Sequence, residues 1–271
     1  MIETFYRIPG APSLALLTDL HNADPAPVIA SLRSHHPSLI TIAGDILYGS
    51  HPGNDVSPLV SQENVLPFLH SCASLAPTFL ALGNHEWMLD AVDLVDISAT
   101  GVTVLDNVYQ TITVENNQII LAGLTSAYVT DYRRFLTSLP ASVTASTRYP
   151  KRDTISGIRG AVTASQHVPD TAWLQSFAAD SPDAFHVLLS HHPEYFPLVP
   201  SSVDLVLSGH AHGGQFRVFN HGVFAPGQGF WPRYTKGVYE RNRLVVSAGL
   251  SNTASFPRFF NPTEIVFIES P

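Results

Sequence analysis

The sequence predicts an α/β protein in which two mixed β-sheets pack together and are flanked by helices. Short apolar runs alternate with helical patterns early in the chain, an alternating hairpin pattern follows, and further apolar runs come late. Short apolar runs bounded by glycine or polar residues are typical of strands buried on both faces. Because 271 residues can form one α/β or sandwich unit, we expect a single domain over residues 1–271.

Five apolar runs are predicted as buried strands. They are LALLT at 14–18, LITIA at 39–43, FLAL at 79–82, VLLS at 187–190 and LVLS at 205–208. The stretch 102–123 alternates between apolar and polar residues, and Asn116-Asn117 is predicted as its hairpin turn. LVVSAG and EIVFIE, near the end of the chain, are predicted as late strands.

Four helices are predicted between these strands. Asp24-Pro25 indicates a helix that runs to about Ser34, because proline is favoured in the first helical turn. The other predicted helices cover residues 63–76, 86–97 and 170–177.

Polar clusters follow the five buried runs. They are DLH at 19–21, GD at 44–45, GNHE at 83–86, HH at 191–192 and GHAH at 209–212. In open α/β sheets the ligand crevice lies outside the carboxyl ends of the strands, so five runs that end at one edge would bring these side chains together. Imidazole nitrogen and carboxylate oxygen suit Mn, Fe or Zn. Two such metals a few ångströms apart form a phosphate-cleaving site, and the pattern therefore predicts a dinuclear metallohydrolase acting on a phosphoester.

Residue spacing supports a metal site over isolated structural roles. Asp19 alone could cap a helix, but His21 lies two residues further on and would point to the same side of an extended segment. His210 and His212 share this spacing. Asp45 is the best candidate for a bridging carboxylate, because one oxyanion shared by two cations offsets their repulsion.

The five motifs, in this order, resemble the calcineurin-like metallophosphoesterases, and GGQ at 213–215, KGVYE at 236–240 and the closing PRFFNPTEIVFI resemble a bacterial branch of small phosphodiesterases. The resemblance implies a four-layer α-β-β-α sandwich. It implies one metal on Asp19, His21, Asp45 and His212, and a second on Asp45, Asn84, His191 and His210. Mn is the first choice of metal, with Fe, Zn, Ni or Co as alternatives.

The implied reaction uses a hydroxide held between the two metals, which would attack phosphorus in line with the leaving oxygen. His85 matches the family's histidine near the leaving group, which does not bind metal. If protonated, it would donate to the leaving alkoxide. The expected substrate is a small phosphorylated molecule, and the expected activity is that of a phosphodiesterase.

Composition excludes several other classes. The net charge of −8 argues against stable nucleic-acid binding, and the single cysteine, Cys72, excludes an intrachain disulfide. No apolar stretch reaches 18 residues, so no membrane span is expected. We expect the first strand near residue 13, with no room for an export signal before it, and therefore a cytoplasmic location.

A basic segment at about 131–168 stands out from the acidic chain. It contains six of the fourteen lysines and arginines. One interpretation is a lid over the metals, in which Arg148, Lys151 and Arg152 bind the non-reacting part of an anionic substrate. The other interpretation is a solvated surface insertion.

Two rival functions stay open at this point. A non-catalytic binding scaffold would be expected to lose metal ligands, and none of the motif positions is lost. The second rival is a lipid-linked or nucleotide pyrophosphatase at a membrane surface. Its docking patch would be formed by aromatic side chains, although core packing explains these residues equally well. They are Phe224, Phe230, Trp231, Phe256, Phe259 and Phe260.

Overall fold

Two six-stranded sheets form the centre of the protein. The computed structural model describes residues 1–48, 57–138, 168–219, 221–253 and 257–271. The first sheet contains, in spatial order, β1 (Ile2–Arg7), β16 (Glu264–Glu269), β2 (Leu14–Leu17), β3 (Leu39–Ala43), β4 (Thr78–Ala81) and β5 (Thr103–Leu105). Strands β2 to β5 are parallel, so their carboxyl ends lie at one edge.

The second sheet has the same number of strands and the same parallel centre. Its spatial order is β14 (Gly237–Tyr239), β15 (Leu244–Val246), β9 (Leu205–Ser208), β8 (Phe185–Ser190), β7 (Asn117–Leu124) and β6 (Val108–Val114). Strands β15, β9, β8 and β7 are parallel, and antiparallel β14 and β6 close the two edges.

Two short hairpins lie between β9 and β14 in sequence. The first pairs β10 (Arg217–Val218) with β11 (His221–Gly222), and the second pairs β12 (Phe224–Ala225) with β13 (Gly229–Phe230).

Six α-helices and three 3₁₀ turns complete the described part of the chain. The helices are α1 (Ala26–His35), α2 (Pro58–Ser61), α3 (Val65–Leu75), α4 (Ala91–Ala99), α5 (Ala127–Ser138) and α6 (Leu174–Ala179). The 3₁₀ turns are Asn84–Met88, Pro193–Leu198 and His212–Gly214. No helix of the described residues is long and apolar enough to cross a bilayer.

Three apolar clusters show how the sheets and helices are arranged in layers. Leu16 and Leu39 of the first sheet pack with Leu189 and Leu207 of the second, which fills the space between the sheets. A second cluster joins the outer face of the first sheet to α1 and α3, and a third joins the outer face of the second sheet to α6. This order of helix, sheet, sheet and helix confirms the predicted fold class.

Several predicted elements differ from the structure. The expectation that the first strand begins near residue 13 is wrong, because β1 begins at Ile2. Strand β1 lies at the edge of its sheet with mostly exposed side chains, so it lacks the apolar run of a buried strand. The run at 102–105 forms β5 in the first sheet and does not belong to the hairpin of β6 and β7. The hairpin turn is Glu115-Asn116, and Asn117 already belongs to β7.

Two predicted helices also change. The helix expected over 86–97 is divided, because α4 begins only after Asp90, whose side chain accepts hydrogen bonds from the backbone N–H groups of Val92 and Asp93. The helix expected from Asp170 begins at Leu174. The boundaries of the other elements agree with the predictions to within a few residues.

Candidate metal centre

The candidate residues follow the carboxyl ends of five parallel strands, three from the first sheet and two from the second. The loops after β2, β3 and β4 approach each other closely. The N–H of Asp19 donates to the carbonyl of Gly44, and a Cβ on Gly44 would lie 2.6 Å from the backbone nitrogen of Gly83. Gly44 also has φ +83°, so two independent constraints require glycine at this position.

Asp19, His21 and His212 form the first group of side chains that could hold a metal ion. Oδ1 of Asp19 lies 3.6 Å from Nε2 of His21 and 3.4 Å from Nε2 of His212. Three donor atoms at these separations can bind one cation between them.

Asp45, His191 and His210 form the second group. Oδ2 of Asp45 lies 3.0 Å from Nε2 of His191 and 3.9 Å from Nε2 of His21, which belongs to the first group. This one oxygen therefore lies between the two groups, as a bridging ligand would. Its other oxygen, Oδ1, accepts a hydrogen bond from the backbone N–H of His85.

Four buried atoms that could bind a metal have no hydrogen-bond partner among the described residues. They are Oδ1 of Asp19, Nε2 of His21, Oδ1 of Asn84 and Nε2 of His191. Buried polar atoms are normally paired, and unpaired ones need a specific explanation. Oxygen and imidazole nitrogen atoms that converge in this way fit divalent cations such as Mn, Fe or Zn.

In the metal-free centre, burial and neighbouring charges shift the pKa values of several side chains in opposite directions. Burial alone would raise the pKa of Asp19, but the imidazoles of His212, His21 and His191 hold it below its usual range. Burial would lower the pKa of His191, but the negative charge of Asp45 raises it to about 10. Burial lowers the pKa of His212 to about 4, and Arg258 contributes to this lowering.

The backbone of the centre is unusual. Five of the seven predicted metal ligands have positive φ angles between 46° and 64°: Asp19, His21, Asp45, His210 and His212. For residues other than glycine this conformation costs roughly 1–2 kcal/mol each, and such residues cluster at functional sites. The turns aim these side chains inward.

Glu86 is a functional candidate whose role the sequence did not define. Its side chain is fully buried, and Oε2 accepts hydrogen bonds from the backbone N–H groups of Asp45 and Gly83. Burial raises the pKa of Glu86 to about 7, and the charge of Asp45 adds to this effect. Glu86 thus holds the loop of the bridging carboxylate in place.

His85 lies at the mouth of the centre. Its Nε2 is 3.8 Å from Oδ2 of Asp45, and 27% of its side chain is exposed. Burial lowers its pKa, while Asp45 acts in the opposite direction. The residue is therefore close enough to contact a molecule bound at the candidate metals.

His192 and Glu194 form a buried network beside the second group. Nδ1 of His192 lies 3.1 Å from Oε1 of Glu194, and Nε2 lies 2.8 Å from the hydroxyl of Ser126. This series of contacts resembles a nucleophilic triad, but Ser126 is fully buried and also accepts a hydrogen bond from the N–H of Tyr128. The network instead supports His210, whose ring centroid is 4.1 Å from that of His192.

A cavity of about 430 Å³ adjoins the second group. It is lined by the aromatic and aliphatic residues Tyr128, Val168, Pro169, Tyr195 and Leu198, together with His192, Glu194, His210 and Gly227. None of these described lining residues is lysine or arginine. Sequence motifs gave no signal for Glu194, because it belongs to no cluster at a strand end.

Arg258 is a second residue that sequence reasoning missed. Its Nη2 lies 2.8 Å from Nδ1 of His212, and its Nη1 donates to the carbonyl of Ala248. The His212 ring is therefore held between Asp19 on one side and Arg258 on the other.

The basic segment is described only over residues 131–138 and at Val168. Residues 131–138 continue α5, where Arg133 pairs with Asp106 at 2.7 Å and Arg134 lies 3.3 Å from Asp131. Arg148, Lys151 and Arg152, the predicted substrate-binding residues, lie outside the described residues. Their role stays a prediction, as does the single-domain organisation.

Comparisons with known proteins give one consistent family. The model of the calcineurin-like phosphoesterase family matches residues 12–214. A Caenorhabditis elegans protein named as a metallophosphoesterase is 26% identical over 98% of this chain and 50% of its own length. An uncharacterised metallophosphoesterase of Campylobacter jejuni is also 26% identical, over 94% of this chain and 58% of its own length. The chain thus spans little more than half the length of these curated relatives.

One solved structure that matches the chain is a 5'-nucleotidase precursor from Thermus thermophilus. It has a TM-score of 0.48 and 17% identity, and the match covers 88% of this chain and 49% of that one.

Proposed function

Since the chain belongs to the calcineurin-like phosphoesterase family, we propose that it hydrolyses phosphoesters, and phosphodiesters in particular, with two divalent metal ions. The observation that carries the proposal is the position of Oδ2 of Asp45 between two groups of donor atoms. When bound, two such ions would acidify a water molecule and neutralise the phosphoryl oxygens. Mn is the proposed metal, with Fe, Zn, Ni and Co as alternatives.

Each residue of the candidate centre has a part in this proposal. One ion would be held by Asp19, His21 and His212. The other would be held by Asn84, His191 and His210. Asp45 would bind both ions. His85 would hold the leaving oxygen and donate a proton to it. Because burial lowers the pKa of His85, protonation would need the negative charge of a bound phosphate nearby.

The cavity beside the second group favours a diester. A monoester carries two negative charges near neutral pH, whereas a diester carries one and has a second organic group that needs space. The cavity of about 430 Å³ offers space, apolar walls and the carboxylate of Glu194, but no described lysine or arginine. Glu194 would repel additional negative charge and accept a hydrogen bond from a hydroxyl or amine of the organic group.

The test compares two chromogenic substrates after metal removal. The protein is treated with a chelator, Mn is added back, and hydrolysis of bis(p-nitrophenyl) phosphate and p-nitrophenyl phosphate is measured. We expect Mn to restore hydrolysis, with a higher kcat/KM for the diester. His210→Ala should lose the restored activity, whereas the matched control His70→Ala, an exposed histidine of α3, should keep it.

Two outcomes would contradict the proposal. If Mn restores hydrolysis of neither ester, the proposed hydrolase activity is excluded. If kcat/KM is higher for the monoester, the proposed preference for diesters is excluded. The expected cytoplasmic location and the expected lack of stable nucleic-acid binding stay predictions.

A further inference from the structure

An exposed aromatic surface lies near the candidate metal centre. Of the eight exposed Phe, Tyr and Trp side chains in the described part of the chain, six fall between residues 219 and 260. They are Phe219, Phe224, Phe230, Trp231, Phe259 and Phe260, and we call them the aromatic surface. Phe219 is 94% exposed, Phe260 89%, Phe230 75% and Trp231 71%, so core packing does not explain these four side chains.

The segments that carry these residues are joined edge to edge by backbone hydrogen bonds. The N–H of Arg217 donates to the carbonyl of Phe259, the N–H of Val223 to that of Phe216, and the N–H of Trp231 to that of Val223. The rings of Phe224 and Phe230 contact each other at a centroid distance of 5.4 Å. The six aromatic residues therefore belong to one continuous part of the surface.

This surface is attached to the turn that carries His212. The N–H of Val223 donates to the carbonyl of Gly214, and Nδ2 of Asn261 donates to the carbonyl of His212. Phe259 and Phe260 lie between Arg258, which contacts the His212 ring, and Asn261. Whatever covers the aromatic surface is consequently brought next to one half of the metal centre.

The charge of the surrounding chain is opposite to that of the whole protein. Residues 216–239 and 257–260 contain no aspartate or glutamate, but they contain Arg217, Arg233, Lys236 and Arg258. Arg233, two residues after Trp231, is 69% exposed but pairs with Glu240 at 2.6 Å, and Lys236 pairs with Glu264 at 2.5 Å. The four basic side chains therefore outnumber the two carboxylates paired with them. The remaining chain is strongly acidic, since the net charge of the protein is −8. An anionic surface would therefore meet an excess of positive charge on the aromatic side and repulsion elsewhere, which orients the molecule.

We propose that the aromatic surface docks on an anionic lipid bilayer and presents the metal centre to phosphorylated groups at the membrane surface. Phenylalanine and tryptophan side chains at hairpin ends can enter the boundary between headgroups and acyl chains, where apolar burial and attraction of basic residues to anionic lipids both contribute. The docking step depends on the surface alone. The presentation of a substrate rests on the proposed hydrolase function.

A vesicle assay tests the docking. The purified protein is sedimented with vesicles of phosphatidylcholine, and with vesicles of phosphatidylcholine and phosphatidylglycerol in equal parts. We expect binding to both, stronger to the anionic vesicles and weakened by salt. A variant with Phe219→Ser, Phe230→Ser, Trp231→Ser and Phe260→Ser should bind at least about tenfold more weakly. The matched control carries Val60→Ser and Val95→Ser, two exposed apolar side chains on α2 and α4, and should bind like the original protein.

A second measurement does not depend on the folding of a multiple variant. Brominated lipids quench the fluorescence of tryptophan that enters the bilayer, and Trp231 is the exposed one of the three tryptophans. Vesicles of brominated lipid should quench the original protein, and Trp231→Phe should remove most of that quenching. Circular dichroism confirms that each variant is folded.

The outcomes separate docking from catalysis. Asp45→Asn should bind vesicles like the original protein, because docking does not use the metal centre. Hydrolysis of soluble esters without vesicle binding would overturn the docking proposal alone, and vesicle binding without hydrolysis would overturn the hydrolase alone. Equal vesicle binding by the four-residue variant would also overturn the docking proposal. So would a dimer that dissociates in this variant without any vesicle binding, because the occupant would then be a second copy of the chain.

Discussion

The metal centre and the aromatic surface depart from the usual distribution of residues in opposite directions. In the metal centre, imidazoles and carboxylates that normally face solvent are buried, and several of their donor atoms have no hydrogen-bond partner among the described residues. In the aromatic surface, large rings that normally fill a core are exposed. The informative observations in a protein are a buried polar group and an exposed apolar patch. Here both occur, and the turn at His212–Gly214 joins them.

The difference shows two ways in which a fold can prepare a surface for another molecule. Burial of polar groups costs free energy that a bound cation would recover, so the metal centre is complete only with its ligand. Exposure of aromatic groups costs free energy that an apolar environment would recover. The metal centre is therefore expected to respond strongly to single substitutions, and the aromatic surface weakly.

Outside the proposed metal ligands, the largest effect is expected at the mouth of the metal centre. His85→Ala should slow the hydrolysis of esters with poor leaving groups by about 10²–10⁴-fold and that of esters with good leaving groups much less, because only the former need a proton donor. Metal content should be largely kept, since His85 is not a proposed ligand. A series of aryl phosphodiesters with leaving groups of different pKa measures this, with His70→Ala as the control. Equal slowing over the whole series would exclude proton donation.

A smaller effect is expected for Glu86, which contacts the loop of a proposed metal ligand and is not itself a proposed ligand. Glu86→Gln replaces the carboxylate that accepts the N–H groups of Asp45 and Gly83, so the bridging ligand should lose part of its orientation. We expect a loss of roughly 10–100-fold in metal affinity or activity, which is typical of residues that orient a metal ligand. The exposed Glu63→Gln should change neither. Unchanged metal affinity and activity in Glu86→Gln would show that this carboxylate only caps its own turn.

Protonation of His191 gives a prediction about pH. In the metal-free protein the pKa of His191 is raised to about 10, well above its usual value of 6.5. Its imidazole is therefore protonated on both nitrogens and positively charged near neutral pH. Metal binding must displace this proton, and metal affinity should therefore rise with pH, by up to about tenfold per unit below pH 10. Calorimetric titration in buffers of different ionisation enthalpy should show release of about one proton per chain from His191. Binding without proton release would contradict the assignment of His191 as a ligand.

The linked stability effect has a definite sign. A histidine whose pKa is raised by folding stabilises the folded state fully below its unfolded pKa, and this contribution is lost as the pH rises through the folded value. The Asp45–His191 interaction should therefore stabilise the metal-free protein less at pH 10 than at pH 6.5. His191→Ala should reduce this dependence in urea unfolding of the metal-free protein.

The smallest effect is expected at the aromatic surface. Phe219→Ser and Phe260→Ser should each change the free energy of unfolding by no more than about 0.5 kcal/mol, as is usual for exposed positions. Leu189→Ala, in the cluster between the sheets, should cost about 2–5 kcal/mol. Urea unfolding measures all three variants. A large loss of stability in Phe219→Ser would mean that the ring has a structural role and would weaken the comparison between the two regions.

The sequence predicted these regions unequally for physical reasons. Buried strands leave a local signal, because an apolar run followed at once by Asp19, Asp45 or His191 is visible in the residue order. The edge strand β1 leaves none, because its side chains are mostly exposed. Glu86 and Arg258 act through hydrogen bonds to residues that are distant in sequence, and only the folded chain shows these contacts.

The aromatic surface illustrates the same limit. Phe224, Phe230, Trp231, Phe259 and Phe260 were visible as apolar residues, but a phenylalanine in a core and one on a hairpin end look alike in a sequence. Nothing in the sequence distinguishes Phe219, although it is the most exposed of the group. Phe256 lies outside the described residues.

The proposed dinuclear centre requires that Asp45 bind both metal ions, and the metal content of an Asp45 variant tests this requirement. Elemental analysis of protein reconstituted with Mn should give two ions per chain for the original protein and for Asp24→Asn, an exposed carboxylate at the start of α1. Asp45→Asn should lose both ions together, because both groups of ligands use its carboxylate. Two ions per chain in Asp45→Asn would contradict the bridging role and, with it, the proposed dinuclear centre.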